Sequence, residues 1–555
     1  MKCTLLGLLF ISVFTHANAA SAPAVFDWFE YTGRDSHVNG ATPYGMYLNP
    51  ILAGFYADPS ICRVGDDYYL VNSSFAYFPG VPIFKSSDLV HWTQLGHVLD
   101  RPSQLKLDGM GVSRGIFAPV LRFHDGLFYM ITTMVDAGGN FFVTAKNPAG
   151  PWSEPTWLPE VDGIDPSFFF DENNRAYIIN NGPPPDNHPL YEGHRAIWIQ
   201  AFDLKRQCTM GPRTILVNGG VDLAKKPVWI EGPHLFKRGD WYYLISAEGG
   251  TGPDHSEVVF RSRTVTGPFV PWDQNPILTQ RDLDPRRPAP VTSTGHVDFV
   301  ETQTGDWWSI FLGCRPYAGD FYNTGRETFL LPITWQEGWP KILDKGVPVP
   351  LVHAMPKLPL ATHPAPPLTG NFTWRDEFEA PTLNMTWNFL RTPREAWFSL
   401  TENPGALTLH SRAATLSGRD NPSFVGRRQQ HADFVSTTAL RCPLATTASA
   451  GMVAFQNETH HFFLGVKNRG GRMEVFLECA NGGEPTIVAT AEVPLAEATI
   501  LLKIEAHGRQ YSFSYAVDPN HWKVLKSDAD GTILSTQVAG GFVGTYLGLY
   551  ARTEG

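Results

Sequence analysis

Gly65-Asp66-Asp67-Tyr68-Tyr69-Leu70 and Arg238-Gly239-Asp240-Trp241-Tyr242-Tyr243-Leu244 share one shape, a turn of Gly and Asp that runs into an aromatic-rich strand. The shape returns in His124-Asp125-Gly126-Leu127-Phe128-Tyr129-Met130, in Asp171-Glu172-Asn173-Asn174-Arg175-Ala176-Tyr177-Ile178 and in Thr304-Gly305-Asp306-Trp307-Trp308-Ser309. Measured through Tyr68, Phe128, Tyr177, Tyr242 and Trp308, the spacings are 60, 49, 65 and 66 residues, room for four strands each. A third strand with its turn follows about one hairpin later, as Phe84-Lys85-Ser86-Ser87-Asp88, Thr144-Ala145-Lys146-Asn147 and Arg261-Ser262-Arg263. Four-stranded units repeated at this period are propeller blades, so residues 45–340 are expected to form a five-bladed β-propeller. A large sandwich with unrelated hairpins is the competing arrangement, and five matched hairpins weigh against it.

Outward from this repeat the chain changes character. Eight prolines fall between Pro340 and Pro367, which marks residues 341–368 as an extended connector to a second body, 369–555. That body also shows short β-branched and aromatic runs and no long 3.6-residue apolar stripe, so the whole chain is expected to be all-β. Residues 1–19 carry Lys2, an apolar run from Leu5 to Phe14 and Ala17-Asn18-Ala19, the pattern of a secretory signal; an N-terminal anchor would need a longer run. A secreted, extracellular protein is expected, and sequons at Asn371, Asn384 and Asn457 suit a glycoprotein, whereas Asn72 lies in a strand-like run. Cysteines 62, 208, 314, 442 and 479 have no C-x-x-C spacing; Cys442 with Cys479 is the one pair suggested for a disulfide.

Of 555 residues 43% are hydrophobic and 18% charged, with 36 Phe, 18 Tyr and 16 Trp, which excludes disorder, collagen and coiled coil. A net charge of -10 leaves no basic footprint, so neither nucleic acid nor an anionic membrane is expected as partner. An uncharged substrate fits better. The sequence does not address oligomeric state.

The first strand of a propeller blade lines the central channel. About ten residues before each hairpin stand Tyr56-Ala57-Asp58-Pro59-Ser60, Phe117-Ala118-Pro119, Ile164-Asp165-Pro166-Ser167, Ile230-Glu231-Gly232-Pro233-His234 and Thr294-Gly295-His296-Val297-Asp298. One Asp-Pro is usually a turn residue. Three acids on one ring raise one another's proton affinity and make a candidate acid/base site, and glycoside hydrolysis needs that: a protonated acid on the leaving oxygen and a second carboxylate that activates water or attacks.

Phe55-Tyr56-Ala57-Asp58-Pro59-Ser60, Gly163-Ile164-Asp165-Pro166-Ser167 and Trp229-Ile230-Glu231-Gly232-Pro233-His234 resemble glycoside hydrolase family 43, notably its two-domain β-xylosidases and α-L-arabinofuranosidases. The resemblance covers residues from about 48 onward. It implies an inverting exo-enzyme that releases xylose from the non-reducing end of β-1,4-xylo-oligosaccharides, with Asp58 as general base, Glu231 as general acid and Asp165 tuning the acid. Inversion would place the acid and base carboxyls roughly 6.5 to 9.5 Å apart. The family match also implies Arg326, in Gly325-Arg326-Glu327-Thr328, as a partner of sugar hydroxyls, and Phe75, Tyr77 and Phe117 as pocket wall. Phe117 stands where many relatives carry Trp. His296 resembles the family's channel histidine, which in some members sits near a bound calcium or water; no cofactor is required by the resemblance, and calcium is left open. Trp374-Arg375-Asp376-Glu377-Phe378 and Gly426-Arg427-Arg428-Gln429-Gln430 look like the concanavalin A-like β-sandwich these enzymes carry, whose edge often helps close the pocket; a freely tethered module is the other reading.

The residues leave the substrate open between β-xylosides and α-L-arabinofuranosides of arabinoxylan or arabinan, or both. A glycan-binding propeller without catalysis would not need all three acids. Ser86-Ser87-Asp88-Leu89-Val90-His91-Trp92 resembles a sialidase Asp-box lacking its Gly, but no arginine triad accompanies it.

Overall fold

The computed structural model describes residues 23–35, 38, 42–361, 367–442, 444–494 and 498–554. The signal-like segment 1–19 and residues 362–366 of the Pro-rich stretch lie outside the described residues.

Five antiparallel sheets of consecutive strands form a five-bladed β-propeller. The aromatic repeat strands are the second of each blade: Asp67–Val71, Leu127–Val135, Arg175–Gly182, Trp241–Glu248 and Trp307–Cys314. Neighbouring blades cover both faces of these strands, so they read as continuous apolar runs; Phe128 to Met134 are all buried. Their side chains fill the inter-blade cores. Tyr129, Ile131 and Phe142 of blade II meet Phe168 and Ile178 of blade III, and Tyr243, Ile245 and Trp272 of blade IV meet Phe299, Phe311 and Phe329 of blade V.

Among the described residues each blade is built of its own consecutive strands, and the ring closes through backbone bonds from Ile51 and Tyr56 to Thr328 O and Arg326 O, at 2.9 and 3.0 Å, and through side chains. Asp298 of blade V accepts from Ser60 Oγ at 2.7 Å and from the Ile61 N–H at 3.0 Å in blade I. Arg122 of blade II donates twice to Asp298, at 2.8 and 3.1 Å, and once to His234 Nδ1 of blade IV at 2.8 Å. Burial would raise the Asp298 carboxyl, but Arg122, His234 and Ser60 hold it below the usual range, while burial pushes His234 down to about 3 and leaves it neutral to accept.

The second body is a concanavalin A-like sandwich of two eight-stranded sheets. Strands such as Thr499–His507 alternate because one side faces the core and the other solvent, whereas Ser423–Arg428, Ala448–Asn457 and His460–Asn468 in the other sheet are buried along nearly their whole length. Its boundaries differ from the expected 369–555. Ala24–Arg34, ahead of the propeller, is an interior strand of one sheet, paired with Leu407–Leu409 and Phe372–Asp376 on one side and Asp433–Arg441 on the other. Phe26, Phe29 and Tyr31 point inward from it, which a boundary drawn from the proline run alone cannot register. Tyr77–Phe78 of the propeller likewise extends the other sheet by pairing with Asn388–Leu390.

The described residues of the 341–368 segment are bound to the propeller. Trp339–Lys341 is the outer strand of blade V, Val352–Ala354 pairs with Met46–Leu48, and the Ala361 N–H donates to Asp88 at 3.0 Å. The Asp-box-like turn is structural: Asp88 accepts the Val90 and His91 N–H groups, and Trp92 Nε1 donates to Leu89 O. Cys442 and Cys479, suggested as a pair, are separate free thiols, the first just past the strand Asp433–Arg441 of one sheet and the second within Met473–Asn481 of the other. Asn72 is fully buried, so its sequon is inaccessible; its amide donates to Tyr56 O and Ala57 O.

Candidate active site

Three of the inner strands begin irregularly. Register shifts interrupt pairing between Ile164 and Ser167 in blade III, between Glu231 and His234 in blade IV and twice between Thr292 and Asp298 in blade V. Such bulges re-aim side chains at a sheet end. The backbone is left-handed at Asp58 (φ 49°), Phe75 (48°), Asp165 (53°), Trp229 (50°) and His296 (54°). Asp tolerates this region, but a left-handed Phe, Trp or His persists only where the surroundings impose it, as functional sites do. All five residues line one pocket of about 390 Å³ at the channel mouth.

Glu231, Arg326 and Phe117 line the same pocket, so the structure brings together every sequence-proposed site residue but one. Tyr77 is the exception. It is fully buried and stacks on Tyr546 of the sandwich with ring centroids 3.9 Å apart, because its two-residue strand is drawn into the sandwich sheet. It belongs to the domain interface and not to the pocket wall.

The carboxyls sit in opposed environments. Burial would raise Asp58, yet Arg326, His296 and Ser73 hold it below the ordinary carboxylate range. Arg326 Nη1 donates to Asp58 Oδ1 at 2.8 Å, Ser73 Oγ to Oδ2 at 2.5 Å, and His296 Nδ1 lies 3.9 Å from Oδ1. Glu231 is half-buried; desolvation, then the charges of Asp165 and Asp58, push it up to about 8 against Arg326 and the Thr251 hydroxyl 3.3 Å away. Asp165, 4% exposed, is raised by burial and by Asp58, with His296 and the Gly232 N–H at 3.1 Å opposing. At neutral pH one group can thus give a proton while another takes one, the division that general acid–base hydrolysis requires. Gly232 follows the acid for a steric reason: at φ 56°, a Cβ there would sit 2.9 Å from His296 Cε1.

Among the described residues no group of three His, Cys, Asp or Glu side chains is placed to hold a metal. Around His296 stand the carboxylates of Asp58, already paired with Arg326, of Asp165 and of Glu257, which accepts from the Val297 N–H at 3.1 Å.

Sequence reasoning did not single out Arg114, Ala118, Ile164, Thr251 and Trp229 as lining residues, although Arg114 and Ala118 stand in the segment around Phe117 that resembles the pocket wall, and Ile164 and Trp229 in the quoted acid motifs. It also missed Phe542, which the sandwich places over the blind end. The Phe542 ring centroid lies 6.0 Å from that of Phe75, its carbonyl accepts from Arg326 Nη2 at 3.4 Å, and its N–H donates to Ser113 Oγ at 2.9 Å. The Gly426-to-Gln430 stretch anchors this arrangement: Arg428 Nε donates to Phe55 O at 2.6 Å with its guanidinium 4.4 Å from the Tyr56 ring centroid. The sandwich is therefore a wall of the site.

The sequence model of Glycosyl hydrolases family 43 matches residues 47–340, and that of the Beta xylosidase C-terminal Concanavalin A-like domain matches 375–555. A xylosidase/arabinosidase of Butyrivibrio fibrisolvens is 40% identical over 513 residues, 91% of this chain and 96% of its own. The non-reducing end alpha-L-arabinofuranosidase BoGH43B of Bacteroides ovatus is 37% identical, covering 92% of each chain. Among solved structures, a GH43_12 protein retrieved from a capybara gut metagenome superposes with TM-score 0.89 at 39% identity, over 96% of this chain and 100% of its own.

Proposed function

This chain belongs to glycosyl hydrolases family 43, and from that membership we propose that it is a secreted, inverting exo-glycosidase that releases xylose from the non-reducing end of β-1,4-xylo-oligosaccharides. That it is a glycoside hydrolase of the xylosidase/arabinofuranosidase kind follows from its relatives; the substrate, stereochemistry and residue roles are our reading. The observation that carries it is the opposition of Asp58, held ionised by Arg326, and Glu231, held protonated to about pH 8, on one small pocket.

In this reading the terminal sugar enters the blind end, against Phe75, Phe117 and Phe542, with Arg326 and His296 at its hydroxyls. Asp58 takes a proton from a water that attacks the anomeric carbon. Glu231 gives its proton to the glycosidic oxygen as that bond breaks, so one hydroxyl replaces one glycosidic bond with inversion. Asp165, buried and bonded to the Gly232 N–H, keeps negative charge near Glu231 and fixes the backbone that carries it.

A second reading, α-L-arabinofuranosidase activity alone or alongside, is favoured by the activity named for the Bacteroides ovatus relative. D-xylopyranose and L-arabinofuranose can present similar hydroxyls to one pocket. Proton NMR of the first-formed anomer from xylobiose and from arabino-xylo-oligosaccharides tests substrate and stereochemistry together. The α-anomer of xylose appearing first is expected; the β-anomer first would remove the base role from Asp58. A kcat/KM ratio favouring the aryl arabinoside over the aryl xyloside would promote the second reading. Recovery from the culture medium of a chain beginning just after Ala19 tests secretion.

A further inference from the structure

The pocket has a blind end and an open end. Asp58, Phe75 and Arg326 are at most 6% exposed, whereas Trp229, two residues before Glu231, is 40% exposed. This large uncovered ring is held firmly. The Trp229 backbone N–H donates to Gly193 O at 2.9 Å, the neighbouring Val228 carbonyl accepts from the Gly249 N–H at 2.9 Å, and the Arg195 guanidinium lies 5.2 Å from the ring centroid. Arg195 is fixed in turn, since its Nε and Nη2 both donate to Asn181 Oδ1, at 2.9 and 2.7 Å. The same fully buried Asn181 uses its Nδ2 to donate to Ile230 O at 2.6 Å, on the one residue between Trp229 and Glu231. A single carboxamide thus sets both the cation that backs the indole and the backbone that carries the acid.

We propose that Trp229, backed by Arg195 and Asn181, is the platform for the leaving-group sugar and takes the C–H face of a xylopyranose ring. This rests on the glycosidase reading above. A proton donor must touch the glycosidic oxygen, so whatever lies beyond Glu231 toward solvent faces the departing unit, and Trp229 is the large ring on that side. Aromatic faces suit groups with one apolar and one polar aspect. A β-linked xylopyranose, with its hydroxyls equatorial, offers such a face. Because the leaving unit is a xylose residue both in a xylo-oligosaccharide and in a xylan backbone bearing arabinose, the platform serves either terminal sugar.

Calorimetric titration of xylobiose and of xylose into full-length Glu231→Gln, which binds without turnover, and into Glu231→Gln/Trp229→Ala separates the two ends of the pocket without involving proton transfer. The expected result is a Kd for xylobiose about tenfold weaker, the scale on which truncating an aromatic anchor weakens binding, with a much smaller change for xylose. Trp229→Phe in the same background, which keeps a flat ring, is expected to recover most of the affinity. Equal weakening for both sugars, or an unchanged xylobiose Kd, overturns the platform. A Glu231→Gln protein that binds neither xylobiose nor arabinosyl-xylobiose refutes instead the glycosidase reading beneath it.

Discussion

Glu231 makes a prediction about stability that is independent of any substrate. Its carboxyl ionises near 4.5 in the unfolded chain and at about 8 in the folded one, with burial and the Asp165 and Asp58 charges as the causes. Between those values the folded state holds a proton that the unfolded state has lost, so stability falls as pH rises through the window and levels off above about 8. Gln at this position is neutral at every pH. At about 1.36 kcal/mol per pH unit, the interval from 4.5 to about 8 sets a ceiling of about 5 kcal/mol on what Glu231→Gln gains at pH 9 over pH 4.5. The side chain is only half-buried, and water relaxing around the anion reduces this to about 2–3 kcal/mol. Unfolding entropy of about 2 cal/mol/K per residue makes 1 kcal/mol worth about 1 °C in a chain of this size. Thermal midpoints of the two proteins should therefore nearly coincide at pH 4.5 and differ by about 2–3 °C, with the variant higher, at pH 9. A difference that stays the same at both pH values would refute the assignment of a buried, protonated Glu231.

Asp165→Asn removes the charge that helps keep Glu231 protonated, so the alkaline limb of kcat/KM should move from about pH 8 to lower pH by about one unit; a stationary limb would mean that Asp165 acts by position alone. Arg326→Lys keeps the charge but loses the planar guanidinium shared between Asp58 and Phe542 O, and should lower kcat/KM by about two orders of magnitude while moving the acid limb upward as Asp58 becomes easier to protonate. Arg391→Met strips the donors from Met110 O and Asp420 O and leaves Glu458 without its buried partner, a loss of about 3–5 kcal/mol in urea unfolding that Arg391→Met/Glu458→Gln should partly restore.

The propeller was legible because its period is local: a Gly/Asp turn and an aromatic strand lie within ten residues of each other in every blade, and the acids precede them at a near-constant offset. Asp58, Asp165, Glu231 and His296 inherit their convergence from that offset. Phe542 had no such signal, since it reaches the pocket through pairings of the sandwich sheets with partners hundreds of residues away. The same holds for Ala24–Arg34, whose partners lie beyond residue 371. Tyr77 misled because its neighbour Phe75 does line the pocket, and only the pairing with Leu390 turns Tyr77 away. For Trp229 the motif was visible, but exposure is a property of what the other loops leave uncovered.

The strand at Ala24–Arg34 has a consequence in time as well as in space. It is made ahead of the propeller, yet Asp433–Arg441, against which it pairs, is made some 400 residues later. At about 5–20 residues per second that is a wait of roughly 20 to 80 seconds, for most of which, until Phe372–Asp376 is made, Phe26, Trp28, Phe29 and Tyr31 have no strand to pair with. The propeller, built of sequence-local blades, can close during the interval. Nascent chains should therefore pass through a state with a finished ring and an unsheltered Ala24–Arg34 strand, the stage at which a holdase has most to bind, and the pocket gains its Phe542 wall only after the sandwich strands have been made.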